Sequence, residues 1–271
     1  KLREALKSSD FVIDALLGVG VSGGLKPFFL KITNEINASG KTVYSVDIPS
    51  GVIADDGRAL NGAVKADHTI TFGAPKIGLF SHPGAARAGK VYIADIGIPT
   101  ELLDKLSTKT HLTSPGYITK HVRPRSATAH KGECGKVLVI GGSRGMSGAP
   151  ALAGLSALRA GAGLVYIAAP ECVADTVDRV FVEGVTLPQP DENGALSAAC
   201  IPALLKKLAA VDAVVLGPGL SVNDSTCEIV SRVLAESKAP TVIDADGLNC
   251  LARMDYPDML KKAKAPVVLT P

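Results

Sequence analysis

The chain of 271 residues carries 29 Lys and Arg against 26 Asp and Glu, a formal charge of +3, and is 46% hydrophobic and 4% aromatic with a mean hydropathy of +0.26. The charge is spread thinly, without the basic clusters that phosphate-backbone binding demands, and tryptophan is absent, so neither nucleic acid nor a base-stacking surface is expected. No uninterrupted apolar run approaches the ~20 residues of a spanning helix, which predicts a soluble protein with no membrane partner, and the unpaired cysteine pattern places that expectation in the cytoplasm.

The length suits one large or two ordinary domains, and two are expected. Five cysteines (Cys134, Cys172, Cys200, Cys227, Cys250) are scattered, odd in number and never in a C-x-x-C pair, the pattern of reduced core thiols. Lys1 to Lys7 reads as a helix, and Phe11 to Leu17 as an apolar strand with Asp14 near its carboxyl end. Gly18, Gly20, Gly23 and Gly24 follow at once. Open α/β sheets bind ligands beyond the carboxyl ends of their strands, so Asp14 either belongs to a site or caps the loop.

Leu30 to Asn37 has helical periodicity, and Thr42 to Ile48 is the next strand, leaving through Asp47 into Pro49-Ser50-Gly51. Asp67 to Phe72 and Val91 to Asp95 are two more strands, separated by the turn GAPKIG, Gly73 to Gly78. Their spacing is too short for a full helix at every connection. Lys76 in that turn either reaches a phosphate or is an ordinary surface lysine. From Ile98 to Arg125 the periodicity fades among Ser, Thr, Pro and His, as in a domain linker.

Beyond it, Lys136 to Ile140 is a strand, Gly141, Gly142, Gly145 and Gly148 form a glycine-rich turn, and Ala149 to Arg159 is a helix with Pro150 in its first turn. Backbone N–H groups and the helix dipole at such a turn suit an anion. Gly163 to Ala169 is a strand, Ala198 to Ala210 a helix, Ala213 to Leu216 a strand with the turn Gly217-Pro218-Gly219, and Asp224 to Ser237 a helix. Pro240 to Ile243 is a strand ending in Asp244-Ala245-Asp246-Gly247, a helix runs on to Leu251, and Ala265 to Thr270 is a core strand. Alternating strands and helices predict an α/β fold with a mainly parallel sheet covered on both faces.

Ordered segments then become specific. VIDALLGVGVSGGL (Val12 to Leu25), SVDIPSG (Ser45 to Gly51), KADHTITFGAPKIGL (Lys65 to Leu79) and VYIADIGIP (Val91 to Pro99) resemble the latter part of NAD(P)HX epimerase domains. HKGECGKVLVIGGS, SGAPALAG, GAGLVYIA, VVLGPGL, VIDADGLN and VVLTP resemble ADP-dependent NAD(P)HX dehydratase domains of the ribokinase-like class. In this order they resemble the family of bifunctional nicotinamide-nucleotide repair enzymes. The resemblance implies a Rossmann-like epimerase part at 1–105, a linker at 106–129, and a ribokinase-like three-layer α/β/α domain at 130–271. It also implies a homo-oligomer that acts on NADH or NADPH hydrated at the nicotinamide ring (NAD(P)HX). One domain would interconvert the two epimers, and the other would dehydrate the S epimer while cleaving ADP to AMP and phosphate, with K+ and Mg2+ as ions.

By the same resemblance, Asp14 and Ser50 match potassium ligands, and Gly18, Val19, Gly20, Val21, Ser22, Gly23 and Gly24 match the loop along the substrate. Asp47 matches the acid that contacts the substrate and is the candidate for acid/base work on the ring. Gly154 and Gly219 match substrate-lining positions where a side chain would collide, and Asp244 and Asp246 are assigned to phosphate or metal. The histidines have no metal spacing, and His130 with Lys131 is open between a nucleotide contact and a structural bond.

The family's asparagine- and glycine-rich loop before Asp14 is absent, as are its histidine after LTP, its AMP segment and its GTGD-like turn. The expectation is a central fragment, inactive by itself in both reactions. A vitamin-precursor kinase of the ribokinase-like class accounts for the second half alone. A non-catalytic scaffold is opposed by the intact Asp14, Asp47 and Ser50.

Overall fold

A computed structural model describes residues 1–271 apart from Ser107, Arg123, Arg125, Ala127 and Asp255, and apart from the side chains of Thr100 and Asp104. The predicted linker 106–129 includes four of these, Ser107, Arg123, Arg125 and Ala127, where that expectation lies outside the described residues. The chain forms two compact units, Lys1–Val122 and Arg123–Pro271. The first takes in short helices at Thr100–Asp104 and Pro115–His121, within the stretch where periodicity fades.

The first unit is a four-stranded parallel sheet in chain order, β1 (Phe11–Asp14), β2 (Thr42–Val46), β3 (His68–Phe72) and β4 (Lys90–Ala94). Helix Pro27–Asn37 makes the first crossover, with proline at its start where a missing N–H costs nothing. Its last residue, Asn37, donates to the Ala63 carbonyl at 3.0 Å and accepts the Lys65 N–H at 2.8 Å, pinning the long β2–β3 connection to the helix end. That connection has no helix, and β3–β4 has only the short turns Ile77–Leu79 and Ala85–Ala88.

Period-two alternation sends Val12, Asp14, Val43, Ser45, Thr69 and Thr71 to the buried face. The opposite face carries Phe11, Ile13, Tyr44, Val46, His68, Ile70 and Tyr92, and it is not covered: Phe11 is 51% and Ile13 62% exposed. A cross-strand aromatic row runs over it, Phe11 edge-on to Tyr44 at 5.8 Å, Tyr44 stacked on His68 at 4.9 Å, and His68 tilted to Tyr92 at 5.9 Å. Strands added in one direction by right-handed crossovers place every connection on the same side.

The second unit is a six-stranded parallel sheet in the order β12-β11-β10-β5-β6-β7. Its strands are β5 (Lys136–Ile140), β6 (Leu164–Pro170), β7 (Val185–Gln189), β10 (Ala213–Leu216), β11 (Thr241–Asp244) and β12 (Val267–Thr270). The chain builds outward from β5 in both directions, so helices cover both faces, giving three α/β/α layers. Helices Gly148–Ala160 and Glu171–Val180 pack on Val139, Val165, Ile167 and Phe181. Helices Ile201–Leu208, Asp224–Glu236 and Asp246–Ala252 pack on Leu138, Ile140, Val214, Leu216 and Ile243.

Some elements differ from expectation. Helix Glu171–Val180, strand β7, the small antiparallel pair β8 (Asp191–Glu192) and β9 (Ala195–Leu196), and helix Tyr256–Lys261 were not anticipated. Strand β12 is the last in the sheet order, with Val268 and Leu269 exposed. All five cysteines are free, but only Cys200 and Cys250 are buried, and Cys172 is exposed. Burial pushes the Cys200 thiol up to about 11 and Cys250 up to about 12. Among the described residues no helix is long and apolar enough to cross a membrane.

Candidate functional site

The carboxyl ends of β1, β2 and β3 gather two polar groups in the first unit. Asp14, the last residue of β1, is fully buried. Its Oδ2 accepts the Ser45 hydroxyl and the Ser50 N–H, each at 2.8 Å, and its Oδ1 accepts the Ser50 hydroxyl at 2.6 Å. Ser50 Oγ in turn accepts the Leu17 N–H at 2.9 Å. Both oxygens of this buried carboxyl group are thus hydrogen-bonded, and the bonds tie the start of the 18–24 loop to the end of β2. The loop itself is open: Gly18, Gly20, Gly23 and Gly24 have nothing within 4 Å of where a Cβ would stand, and Val21 is the one half-buried member. Asp14 Oδ1, Ser50 Oγ and the Leu17 carbonyl 3.3 Å from it form an all-oxygen set with lone pairs to spare. That donor chemistry fits a hard monovalent cation.

Asp47 begins the second group. It follows β2 with φ 65, a conformation that costs a non-glycine residue ~1–3 kcal/mol and persists only when its surroundings enforce it. Its Oδ1 accepts the Lys76 ammonium at 2.6 Å, the Phe72 N–H at 3.0 Å and the Thr71 hydroxyl at 3.1 Å. Partial burial by itself would raise the carboxyl, but the Lys76 and Phe72 hydrogen bonds, the Lys76 charge and the Thr71 hydroxyl outweigh it and hold Asp47 below its ordinary value. It is therefore an ionised acceptor at neutral pH. Lys76 is not the ordinary surface lysine of one sequence reading: it is 21% exposed and bonded to both Asp47 and the Phe72 carbonyl.

Sequence reasoning missed Ser45 and Thr71 as partners and the pairing of Lys76 with Asp47. The signal was the register: Ser45 stands opposite Asp14, and Val46, just before Asp47, stands opposite Ile70.

In the second unit the strand order reverses between β5 and β10, the switch point where such sheets open a crevice. The loops after these strands interlock there. The Gly142 N–H donates to the Pro218 carbonyl at 2.9 Å, the Gly217 N–H to the Ile140 carbonyl at 3.0 Å, and the Ser221 hydroxyl to buried Ser143 at 2.9 Å. Asp246 Oδ2 accepts the Ser221 N–H at 2.8 Å and its Oδ1 the Asn249 amide at 3.1 Å. Asp244 accepts the Thr270 hydroxyl at 2.8 Å. Both acids thus join loops and strand ends, and among the described residues no group of three or more His, Cys, Asp or Glu is placed to hold a metal. Like Asp47, Ser221 (φ 66) and Ala245 (φ 48) adopt positive φ at strand exits.

The two glycines expected to line a substrate have other reasons to be glycine. A Cβ on Gly154 would stand 2.8 Å from the buried Phe181 ring and 3.0 Å from Ile167, so it would collide with the protein's own core. At Gly219, with φ +63, a Cβ would stand 2.5 Å from the Met146 carbonyl. Helix Gly148–Ala160 opens after the glycine turn with no side-chain cap on its first N–H groups. His130 is exposed, 3.2 Å from Glu133, with Nδ1 accepting the Gly132 N–H.

Residues 137–271 match the family described as NAD(P)H-hydrate dehydratase, and residues 1–78 match the YjeF-related protein N-terminus. The bifunctional NAD(P)H-hydrate repair enzyme Nnr of Moorella thermoacetica is 39% identical over 268 residues, 98% of this chain and 50% of the relative. That of Thermofilum pendens is 35% identical over 282 aligned positions, 100% of this chain and 51% of the relative. The chain spans about half the length of these curated relatives. A crystal structure of ADP/ATP-dependent NAD(P)H-hydrate dehydratase from Bacillus subtilis, co-crystallised with ATP/Mg2+, is 32% identical over 58% of this chain and 50% of its own, with a TM-score of 0.44. With a YjeF-type segment followed by a dehydratase segment, and with bifunctional relatives aligned along almost its whole length, the chain belongs to the family of bifunctional NAD(P)H-hydrate repair enzymes.

Proposed function

We propose that the protein carrying this chain repairs NADH or NADPH hydrated at the nicotinamide ring, with residues 1–105 in the epimerase part, 106–129 as linker and 130–271 in the dehydratase part. The observation that carries this reading is the placement of Asp47, ionised and held against its own backbone preference, on the same strand edge as the open loop 18–24. A fixed carboxylate at the rim of a parallel sheet suits a small polar substrate whose hydroxyl must be gripped and moved. Asp14 and Ser50 would hold potassium together with the Leu17 carbonyl, fixing the loop's first residues. When bound there, the ion would supply positive charge beside the Asp14 carboxyl group.

In the dehydratase part, the reading places the nucleotide at the β5/β10 crevice. The uncapped first turn of helix Gly148–Ala160 offers N–H groups to phosphate oxygens. Hydroxide is a poor leaving group, and phosphoryl transfer from ADP to the substrate hydroxyl converts it into phosphate, leaving AMP. The interlocked 141–143 and 217–221 loops keep the crevice walls rigid during that transfer. Magnesium would enter with the nucleotide and neutralise phosphate charge.

The test supplies the whole protein with both hydrated NADH epimers, ADP, magnesium and potassium, and follows dihydronicotinamide absorbance alongside AMP. Conversion of both epimers with one AMP per molecule repaired is expected, with Asp47→Ala stopping once the S epimer is consumed. Untouched ADP and no absorbance recovery would refute the reading.

A further inference from the structure

The ion pair at the exit of β2 retains unused hydrogen-bonding capacity on both partners. The Lys76 ammonium has three N–H donors; one goes to Asp47 Oδ1 at 2.6 Å and another to the Phe72 carbonyl at 2.8 Å. One donor remains. The hydrogen bonds Asp47 accepts from Thr71, Phe72 and Lys76 all arrive on Oδ1, which leaves Oδ2 without a partner among the described residues. A spare ammonium N–H and a spare carboxylate oxygen on one ion pair are the complement of a hydroxyl, which accepts through its oxygen and donates through its proton.

The placement of the pair is specific. Asp47 reaches Lys76 from a left-handed backbone conformation, and Lys76 is turned back over the end of β3 by its bond to Phe72. The lysine also lines a cavity of about 340 Å3, together with Ala54, Asp55, Phe80 and His111. Asp47 does not line that cavity, so Lys76 is the member of the ion pair that connects the two.

Resting on the epimerase reading above, we propose that Lys76 is the proton donor of the epimerase site, acting with Asp47 on the hydroxyl of the hydrated ring carbon. The hydroxyl accepts the spare Lys76 N–H and donates to Asp47 Oδ2. Lys76 passes its proton to the hydroxyl, the C–O bond breaks with both electrons leaving on oxygen as water, and the lone pair of the adjacent ring nitrogen satisfies the carbon as an iminium. Water adds to the opposite face and releases its proton to bulk solvent, from which the neutral Lys76 amine takes up a proton in turn. Atoms and charge balance, and the net change is the configuration at one carbon. Asp47 stays ionised throughout and stabilises the cationic ring intermediate.

The test measures R-to-S epimerisation in the whole protein and in the K76M, K76R and K76A variants, with ADP-dependent dehydration of purified S epimer as an internal control for folding. A proton donor of this kind contributes roughly 100-fold or more. The expected result is a loss of that size in K76M and K76A, with S-epimer dehydration at the wild-type rate. K76R, which keeps the charge beside Asp47 but does not give up a proton near neutral pH, is expected to bind substrate with near wild-type KM and a depressed kcat. Added methylamine is expected to restore part of the K76A rate. Wild-type epimerisation in K76M or K76R overturns the inference. Should a variant lose both activities, methylamine decides: no recovery of epimerisation in any soluble Lys76 variant also overturns it. A wild-type protein that never converts the R epimer overturns instead the epimerase reading on which the inference rests.

Discussion

In the first unit the strands lie in chain order, β1 to β4, and this chain's own connections return over one face of the sheet, whereas in the second the chain builds outward from β5 on both sides and helices pack on both faces. The strands themselves are alike, short and rich in β-branched residues, so strand composition does not set the difference. Connection order sets it, because right-handed crossovers that always advance the same way return over the same face. The two sites follow suit. In the first unit the polar groups hang from the ends of neighbouring strands through side chains, Asp14 to Ser50 and Asp47 to Lys76. In the second, at a switch point, the walls are backbone loops locked to each other.

If the first unit depends on side-chain bonds, removing one buried acceptor should cost most. Asp14→Ala strips the acceptor from two buried hydroxyls and one N–H and is expected to destabilise the first unit by about 3 kcal/mol or more. Differential scanning calorimetry should show one transition falling while the second unit's transition holds; equal lowering of both would break the comparison. Next in size, Gly154→Val in the second unit forces a branched side chain onto Phe181 and Ile167 and is expected to cost about 2 kcal/mol by denaturant unfolding. If Gly154 served only to make room for a substrate, its stability would stay unchanged and KM alone would rise.

Two neighbours on β1 sharpen the contrast between faces. Val12 is buried and Ile13 is 62% exposed, so Val12→Ala is expected to lose about 1.5 kcal/mol and Ile13→Thr less than about 0.5 kcal/mol. Similar losses at both positions would mean that the bare face is covered in solution. The smallest effect concerns acid. Because the folded carboxyl of Asp47 is lowered, its stabilising contribution is fully present above the ordinary carboxylate range and is lost as the pH falls through the lowered value. The pair is partly exposed and screened, so the contribution is less than about 1 kcal/mol. Carboxyl NMR titration should find Asp47 below a typical aspartate, and Lys76→Met should move it back up.

Most of the parallel strands were legible because they are apolar runs closed by glycine or an acid. Helix Glu171–Val180 was missed although Val173, Ala174 and Val177 share its buried face, because its valines and threonine also suit a strand. Strand β7 carries Pro188, which argues against a strand except at an edge, where it lies. Asp14, Ser50 and Asp47 were legible from motif and strand position. The Asp47–Lys76 pair was not, since 29 residues separate them in sequence and only the β2–β3 register brings them together. Gly154, read from its motif as a substrate-lining position, carries a packing constraint that the motif did not reveal, because Phe181 fills the space a Cβ would need.

The locked loops of the second unit also constrain how its sequence can vary over generations. A Cβ at Gly141 would meet the Pro218 carbonyl, and the Gly142 N–H already binds it. A substitution in either loop is therefore screened by selection against the current shape of the other, and its fitness effect depends on the order in which changes arrive. A length change between Gly217 and Ser221 therefore requires a matching change in the 141–143 turn, and the two segments are expected to vary together as one inherited character.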